Sequence, residues 1–216
     1  MSSRAMTMTD VLMVLATLMI LAAIFFSAVM RQEPEGRTPR IQCVNNLKQV
    51  GLAAIIWSGD NNGKYPFQIA ATNIGTRDFI TGPNEWRHFQ IMSNELSTPK
   101  VLTCPADSDR PLAATNFTWI ANSNLSFFLG VDVDQTNAQM FFAGDRNITN
   151  GTLLKNSILT LTRNQNSGWT AAMHNKVGNF VLGDGSVQQT SVTGLRSAVE
   201  NSGAFTNRLQ MPILNP

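Results

Sequence analysis

An apolar run near the amino terminus constrains this chain more than any other feature. Val11–Met30 contains twenty residues, of which only Thr17 and Ser27 are polar. A helix of that length extends about 30 Å, which matches the hydrocarbon core of a bilayer. The run therefore predicts a transmembrane helix. Asp10 immediately precedes it, and an ionisable residue at the edge of such a segment usually has a named partner.

Three interpretations of this run are open. A cleaved secretory signal normally has an apolar stretch of only about 7–15 residues and a small-residue cleavage site, and Ser27-Ala28-Val29 is a poor one. A plain signal anchor would leave Asp10 without a role. A filament stalk gives Asp10 a partner, the free amino terminus of a neighbouring subunit.

Composition limits what the rest of the chain does. The chain has 216 residues, and the part after the first forty is long enough for one domain with its own core. Net charge is +2 and charged residues make up 14%, so the chain lacks the electrostatic signature of a nucleic-acid-binding protein. Abundant Asn, Thr, Ser and Gly favour strands and polar loops over long surface helices.

The two cysteines, Cys43 and Cys104, both follow the apolar run. In an oxidising compartment they would form a disulfide worth about 2–4 kcal/mol, and otherwise they would be two buried thiols. Sequence alone leaves both alternatives open, because it does not place the two Cα atoms. A Cys-x-x-Cys redox or zinc pattern is absent from the sequence.

Pattern and punctuation predict an α+β fold, with a long helix packed on an antiparallel sheet. Prolines and a glycine predict a kink or linker over 31–40, and helix resumes over 41–58 with its apolar residues Ile41, Val44, Leu47, Leu52, Ile55 and Ile56 mostly on one face. Helical patches are predicted within 79–102 and a terminal helix over 195–200. The predicted strands are 117–121, 139–143, 153–161, 177–182 and 186–191.

The segment 179–187 predicts a β-hairpin, because Asp184-Gly185 readily supplies the positive φ angles of a tight turn. His174 precedes Asp184 by ten residues. An imidazole and a carboxylate can form a hydrogen-bonded pair or share a metal ion. Structural pairing across the hairpin, a metal or partner contact, and a catalytic role are all open, although the spacing dictates neither a third ligand nor a nucleophile.

Taken together, several segments resemble prepilin-type proteins that carry a processing-associated His-x9-Asp-Gly domain. The matching segments occur in the order of that family and cover nearly the whole chain. They are Cys43-Val44-Asn45-Asn46-Leu47-Lys48-Gln49, Asp60-Asn61-Asn62-Gly63 followed by Tyr65-Pro66, Cys104-Pro105-Ala106-Asp107, Phe141-Phe142-Ala143-Gly144-Asp145, and His174 with Asp184-Gly185. In the leader, Ala5 stands where the family has Gly, Met6 where it has Phe, and Asp10 where it has Glu.

The resemblance implies a type IV pilin-like fold and the role of a pseudopilin in a type II secretion or type IV pilus-like system. It divides the chain into a leader (1–5), a stalk helix (6–30), a linker (31–40) and an extracytoplasmic domain (41–216). Prepilin peptidase would cut between Ala5 and Met6, Met6 would be N-methylated, and Asp10 would serve assembly. The expected partners are the inner membrane and other pseudopilin subunits, with no enzymatic activity.

Charge around the apolar run favours the opposite orientation. Arg4 lies before the run, whereas Arg31, Arg37 and Arg40 follow it, and the positive-inside rule would keep that second flank in the cytoplasm. We follow the resemblance and expect the domain to be extracytoplasmic.

Two further interpretations are weighed against the pseudopilin. One is a signal-anchored domain that binds a ligand or metal at His174 and Asp184 without assembling. The other is an anchored hydrolase, for which the sequence lacks a Gly-x-Ser-x-Gly motif. Calcium is a possible ligand, because 132–137 places oxygens at alternate positions, but the segment lacks the Gly and distal Glu of a calcium loop, and 60–63 is better explained as a turn.

Overall fold

A computed structural model of the chain describes residues 8–29, 37–110 and 112–214. It divides into two units, Met1–Thr38 and Pro39–Pro216. The predicted leader, with the Ala5–Met6 cleavage site, lies outside the described residues, as does most of the predicted linker. The described chain is α+β, with an apolar N-terminal helix and a six-stranded antiparallel sheet.

Helix α1, Met8–Val29, belongs to the first unit. Among the described residues it is the one helix long and apolar enough to cross a membrane, with a mean hydropathy of 2.4 over Met8–Phe26. Its large apolar side chains are exposed. Asp10 lies in its first turn, where the partial positive charge of the helix amino terminus favours a carboxylate.

Helix α2, Arg37–Asp60, begins four residues earlier than the sequence predicts. Pro39 is accommodated in the first turn, where backbone N–H groups have no partner within the helix. The predicted turn that ends the helix is present, since the Gly63 N–H donates to the Ser58 carbonyl at 2.8 Å. Asn62 and Gly63 both have positive φ, which Asn and Gly tolerate best.

The apolar face predicted for α2 is largely wrong. Ile41, Leu52 and Ile56 are exposed, whereas the buried stripe contains Leu47 and Trp57 together with smaller residues. The members of that stripe are Cys43, Leu47, Val50, Gly51, Ala53, Ala54 and Trp57. Small side chains are needed here because the helix approaches the sheet closely: a Cβ on Gly51 would lie 2.6 Å from Val181 Cγ2.

The main sheet has the strand order β4-β8-β1-β2-β6-β7, with every neighbouring pair antiparallel. Its strands are β1 Phe127–Gly130, β2 Phe141–Asp145, β4 Ile158–Thr162, β6 Val177–Leu182, β7 Val187–Ser191 and β8 Thr206–Gln210. A second, two-stranded sheet pairs β3, Ile148–Thr149, with β5, Gly168–Trp169. The order confirms an antiparallel sheet.

Alternating side chains fill a separate core on each face of the sheet. In β6, Val181 belongs to the core that α2 covers, whereas Phe180 and Leu182 belong to the other. Helix α5, Val192–Asn201, closes the second core with Leu195 and Val199. A register shift in β2 between Phe141 and Ala143 places Phe142 and Ala143 in the same core.

Short helical pieces form the connection between α2 and β1. The two α-helices are α3, Trp86–Gln90, and α4, Ser93–Leu96, within the region 79–102 where helical patches are predicted. The 3₁₀ segments of the chain are Pro66–Gln68, Ala71–Asn73, Arg77–Phe79, Pro99–Leu102, Phe117–Trp119 and Asn122–Asn124.

The elements predicted from sequence are most accurate where a turn interrupts the hydrophobic pattern. Strand β6, the following Asp-Gly hairpin and α5 fall where they are predicted. The predicted strand at 117–121 is wrong, because Asn116 caps a 3₁₀ turn there through its side-chain oxygen. Strands β1 and β8 are missed, and their pairing with each other is a long-range contact with no local signal.

Glycine substitutions in α2 test the close approach to β6. We expect Gly51→Ala to lower the free energy of unfolding by about 1–3 kcal/mol, because the new methyl group meets the stiff Val181 side chain. Gly59→Ala is the matched control: nothing lies within 4 Å of its added Cβ, so it should raise stability by up to about 1 kcal/mol. Urea denaturation of the full chain in detergent measures both. Equal changes in the free energy of unfolding for the two variants would contradict the close packing of Gly51 against Val181.

Candidate functional site

A disulfide joins α2 to the segment before β1. Cys43 lies in the second turn of α2, and Cys104 follows the 3₁₀ segment Pro99–Leu102. Their Cα atoms are 4.9 Å apart, and both residues are buried. The bond closes a loop between positions 61 residues apart, so it restricts the unfolded chain strongly.

His174 lies directly against this disulfide. Its Nε2 atom is 3.4 Å from Cys104 Sγ and 3.4 Å from Asp145 Oδ2, and its side chain is 3% exposed. Its backbone carbonyl accepts a hydrogen bond from Arg40 Nη2 at 3.3 Å. Thus His174, which precedes β6, contacts residues from α2, from the Cys104 turn and from the end of β2.

Asp145 is the last residue of β2 and is completely buried. Its Oδ2 atom accepts hydrogen bonds from the Asn179 backbone N–H at 2.7 Å and from Asn179 Nδ2 at 2.8 Å. Gln189 Nε2 donates to Asn179 Oδ1, which fixes the orientation of that amide. The second carboxylate oxygen, Oδ1, is buried and has no hydrogen-bond partner.

Burial controls the ionisation of the pair. It raises the pKa of Asp145 to about 7 against the hydrogen bonds from Asn179. Burial, together with the nearby Arg40 charge, lowers the pKa of His174 to about 4. Near neutral pH the imidazole is therefore uncharged, and the raised pKa makes the Asp145 carboxyl group easier to protonate than an exposed one.

A network of ion pairs flanks this cluster, in which Arg146 bridges the buried Asp107 and the exposed Asp109. Arg146, the residue after Asp145, donates to Asp107 through Nε at 2.7 Å and through Nη2 at 2.6 Å. Its Nη2 also bonds Asp109. Asp107 belongs to the Cys104 turn, where its N–H donates to the Cys104 carbonyl at 2.9 Å. The bidentate pair thereby ties that turn to the end of β2.

Asp184 and Gly185 lie elsewhere, and the predicted pairing of His174 with Asp184 is wrong. Both residues flank the same strand, β6, so about 20 Å of extended chain separates them. Asp184 is exposed, and its Oδ1 accepts the Ser186 N–H at 2.8 Å within the turn. Gly185 has φ +81°, and a Cβ there would lie 2.8 Å from Ile55 Cδ1 of α2.

The other candidate residues have protein partners or lie elsewhere. In the predicted calcium segment, Asp132 pairs with Arg208, and Asp134 Oδ1 accepts the Thr136 N–H at 2.8 Å within a turn. Asp10 lies in α1, whereas Ala5 and Met6 are outside the described residues.

His88 and Glu85 are titratable groups buried away from the disulfide. His88 is in the core, with Nδ1 2.6 Å from Thr76 Oγ1 and Nε2 2.9 Å from Gln210 Oε1, and burial lowers its pKa to about 4. Glu85 is fully buried, and burial raises its pKa well above the usual value although the charge of Arg110 opposes this.

Chemically, the disulfide cluster combines two sulfurs, an imidazole and a carboxyl group. The donor atoms of Cys43, Cys104 and His174 all lie within 4.8 Å of one another, as a metal site requires. While the sulfurs are bonded to each other, neither is a thiolate ligand or nucleophile. The oxidation state of the two cysteines therefore decides what this cluster can bind.

Sequence reasoning missed Asp145, Asn179 and Arg40 as members of the site. Asp145 carried a signal, since it is a charged residue at the end of an otherwise apolar and glycine strand. Asn179 and Arg40 carried none, because their roles depend on which strand and which helix turn lie beside Asp145 and His174.

Comparisons with protein-family models, with curated proteins and with solved structures found no match for this chain. The class of protein is thus defined by its own architecture. It is an α+β domain with a six-stranded antiparallel sheet, preceded in sequence by one helix long and apolar enough to span a membrane.

Glu85 and His88, both buried outside the disulfide cluster, predict opposite pH dependences of the free energy of unfolding. Because the folded-state pKa of Glu85 is raised, its contribution to stability is complete below the ordinary value of 4.5 and is lost as pH rises above it. Relative to Glu85→Gln, the wild type should lose up to about 1.4 kcal/mol per pH unit over that range.

His88 should behave in the opposite sense, because its folded-state pKa of about 4 lies below the ordinary 6.5. Relative to His88→Gln, the wild type should lose stability as pH falls from 6.5 through 4. Chemical denaturation at several pH values measures both differences. Differences that are flat with pH, or that slope the same way, would contradict the burial assigned to these groups.

Proposed function

We propose that this protein is a pseudopilin-like, membrane-anchored structural subunit of a type II secretion or type IV pilus-like system. The observation that carries the proposal is an apolar helix with a carboxylate in its first turn, followed in sequence by a helix packed on an antiparallel sheet. A type IV pilin-like subunit has this order of elements. The motifs shared with the His-x9-Asp-Gly prepilin class support the same role.

Asp10 is central to the assembly step. Ionisable residues at the edge of a membrane segment usually serve a function. The free amino group of a neighbouring, processed subunit is a suitable cation, because it would lie at the same depth in the membrane. Such a pair would fix the axial register of successive stalk helices.

The proposed location is the inner membrane, with the domain on the extracytoplasmic side. The Cys43–Cys104 disulfide supports this placement, because disulfides persist in oxidising compartments and are rare in the cytosol. Prepilin peptidase would process the chain, and other pseudopilin subunits would be its partners. The role is structural, so purified chain that turned over a substrate in a His174-dependent manner would overturn it.

Substitution of Asp10 tests assembly. We expect Asp10→Asn to abolish filament or oligomer formation in the membrane, because the charge that would pair with a neighbouring amino group is lost. Asp10→Glu keeps the charge and should assemble. Crosslinking in membranes with a reagent that does not react with cysteine, followed by gel electrophoresis, measures assembly as a ladder of bands. Thermal unfolding shows whether the domain is intact.

A charge-removing substitution outside the stalk serves as the control. Asp60→Asn, on an exposed position at the end of α2, should leave the crosslinked ladder unchanged. If Asp10→Asn also left the ladder unchanged, the chain would be a signal-anchored domain that does not assemble. If wild type gave no ladder at all, the filament proposal would fail as well.

The mature amino terminus tests processing. We expect the membrane-extracted protein to begin at Met6 and to carry one added methyl group, because the leader alignment places cleavage after Ala5. Intact-mass and N-terminal peptide spectrometry measures this directly. Ala5→Gly restores the residue found in the family and should increase the processed fraction. A chain that still begins at Met1 or Ser2 would contradict the processing claim.

A further inference from the structure

Four buried side chains that carry sulfur, nitrogen and oxygen donor atoms lie near one another. They are Cys43, Cys104, His174 and Asp145, all within the core between α2, the Cys104 turn and β2. The donor atoms of the two cysteines and the histidine lie within 4.8 Å of one another. Asp145 Oδ2 adds an oxygen 3.4 Å from His174 Nε2.

Two of the separations between these donor atoms fit the edges of a zinc tetrahedron. Zinc binds sulfur at about 2.3 Å and nitrogen or oxygen at about 2.0–2.2 Å, so tetrahedral angles give edges of about 3.6 Å for sulfur–nitrogen and about 3.4 Å for nitrogen–oxygen. Cys104 Sγ to His174 Nε2 is 3.4 Å, and His174 Nε2 to Asp145 Oδ2 is 3.4 Å. The bond between the two sulfurs does not fit, and Asp145 is not among the donors that lie within 4.8 Å of one another, so its carboxylate would have to turn toward the sulfurs as they separate.

The surroundings of Asp145 also suit a ligand. Oδ2 already accepts two hydrogen bonds, so the buried Oδ1, which has no hydrogen-bond partner, is the oxygen left to bind an ion. Asn179 orients the carboxylate through two hydrogen bonds to Oδ2, the arrangement that outer-shell residues provide at metal sites. Arg40, hydrogen-bonded to the His174 carbonyl, would offset the negative charge of two thiolates and a carboxylate.

We propose that the reduced protein binds one Zn²⁺ ion through Cys43, Cys104, His174 and Asp145, and that oxidation to the disulfide expels the ion. Two thiolates and an imidazole form a ligand set that favours zinc over harder divalent ions such as Mg²⁺ and Ca²⁺. The inference goes beyond the proposed filament role and does not depend on it.

The exchange balances as follows. A dithiol reductant supplies two electrons and two protons to the Cys43–Cys104 bond, becomes a disulfide itself, and leaves two thiols. Zinc then displaces both thiol protons, and the sulfurs separate to about 3.8 Å by side-chain rotation.

Cobalt titration of the full chain in detergent tests the proposal, because Co²⁺ reports thiolate ligation and tetrahedral geometry by its absorption. After reduction with a phosphine, the wild type should bind one equivalent of Co²⁺ with a sulfur-to-cobalt charge-transfer band, and Zn²⁺ should remove that band. The oxidised chain should give no such band. A small-molecule disulfide, which accepts the two electrons from the thiolates and leaves as two thiolates, should oxidise the zinc-loaded chain and release one equivalent of zinc to a colorimetric chelator.

Variants that keep both cysteines separate ligation from folding. Asp145→Asn and His174→Gln should weaken Co²⁺ binding at least about tenfold, and Asn179→Ala should weaken it by about 10- to 100-fold. Asp184→Asn is the control, because Asp184 lies in the exposed turn beyond the far end of β6, and its affinity should equal that of wild type. Circular dichroism of each reduced variant confirms that the fold is retained.

Two results would overturn the proposal. One is reduced wild type that gives no thiolate–cobalt band. The other is folded Asp145→Asn and His174→Gln chains that bind Co²⁺ as tightly as wild type, which would show that the cysteines bind the ion without the other two residues.

Discussion

The attachment of α2 to strand β6 governs the architecture of the domain. Contacts from α2 reach residues near both ends of β6. Near the start of β6, Cys43 of α2 is bonded to Cys104, against which His174 packs. Near its end, Gly51 allows α2 to contact Val181. Because α2 contributes Cys43, Leu47, Val50, Ala53, Ala54 and Trp57 to one of the two cores, the position of the sheet relative to this helix depends on these two contacts.

Buried polar groups make the first of these contacts specific. Asp145 and His174 are taken out of water at a cost that only hydrogen bonds and neighbouring charges offset. Asn179, Arg40 and the Asp107–Arg146 pair supply them from β6, α2 and the Cys104 turn. An apolar core would tolerate small shifts of α2 along the sheet, whereas this network fits only one register. The same concentration of donors is what gives the cluster its chemistry once the cysteines are reduced.

The His-x9-Asp-Gly spacing has a structural meaning different from the one its spacing alone suggests. The histidine and the aspartate do not meet, because nine intervening residues include the whole of β6. Instead, each end of the motif serves one end of α2: His174 through the disulfide and the Arg40 contact, and Gly185 through its close approach to Ile55. The nine-residue spacing of the motif therefore corresponds to the length of β6, whose two ends lie near Arg40 and Ile55 of α2.

Local physics in the sequence determined the α+β class and several of the elements. The twenty-residue apolar run, the turns at 60–63 and 184–185, and strand β6 all follow from hydrophobic length, positive-φ residues and β-branched patterning. Only the tertiary structure decided the buried face of α2, since close packing selected small residues over the larger isoleucines. It also decided the site, because Asp145, Asn179 and Arg40 reach His174 through strand order and helix register, which no local pattern in the sequence encodes.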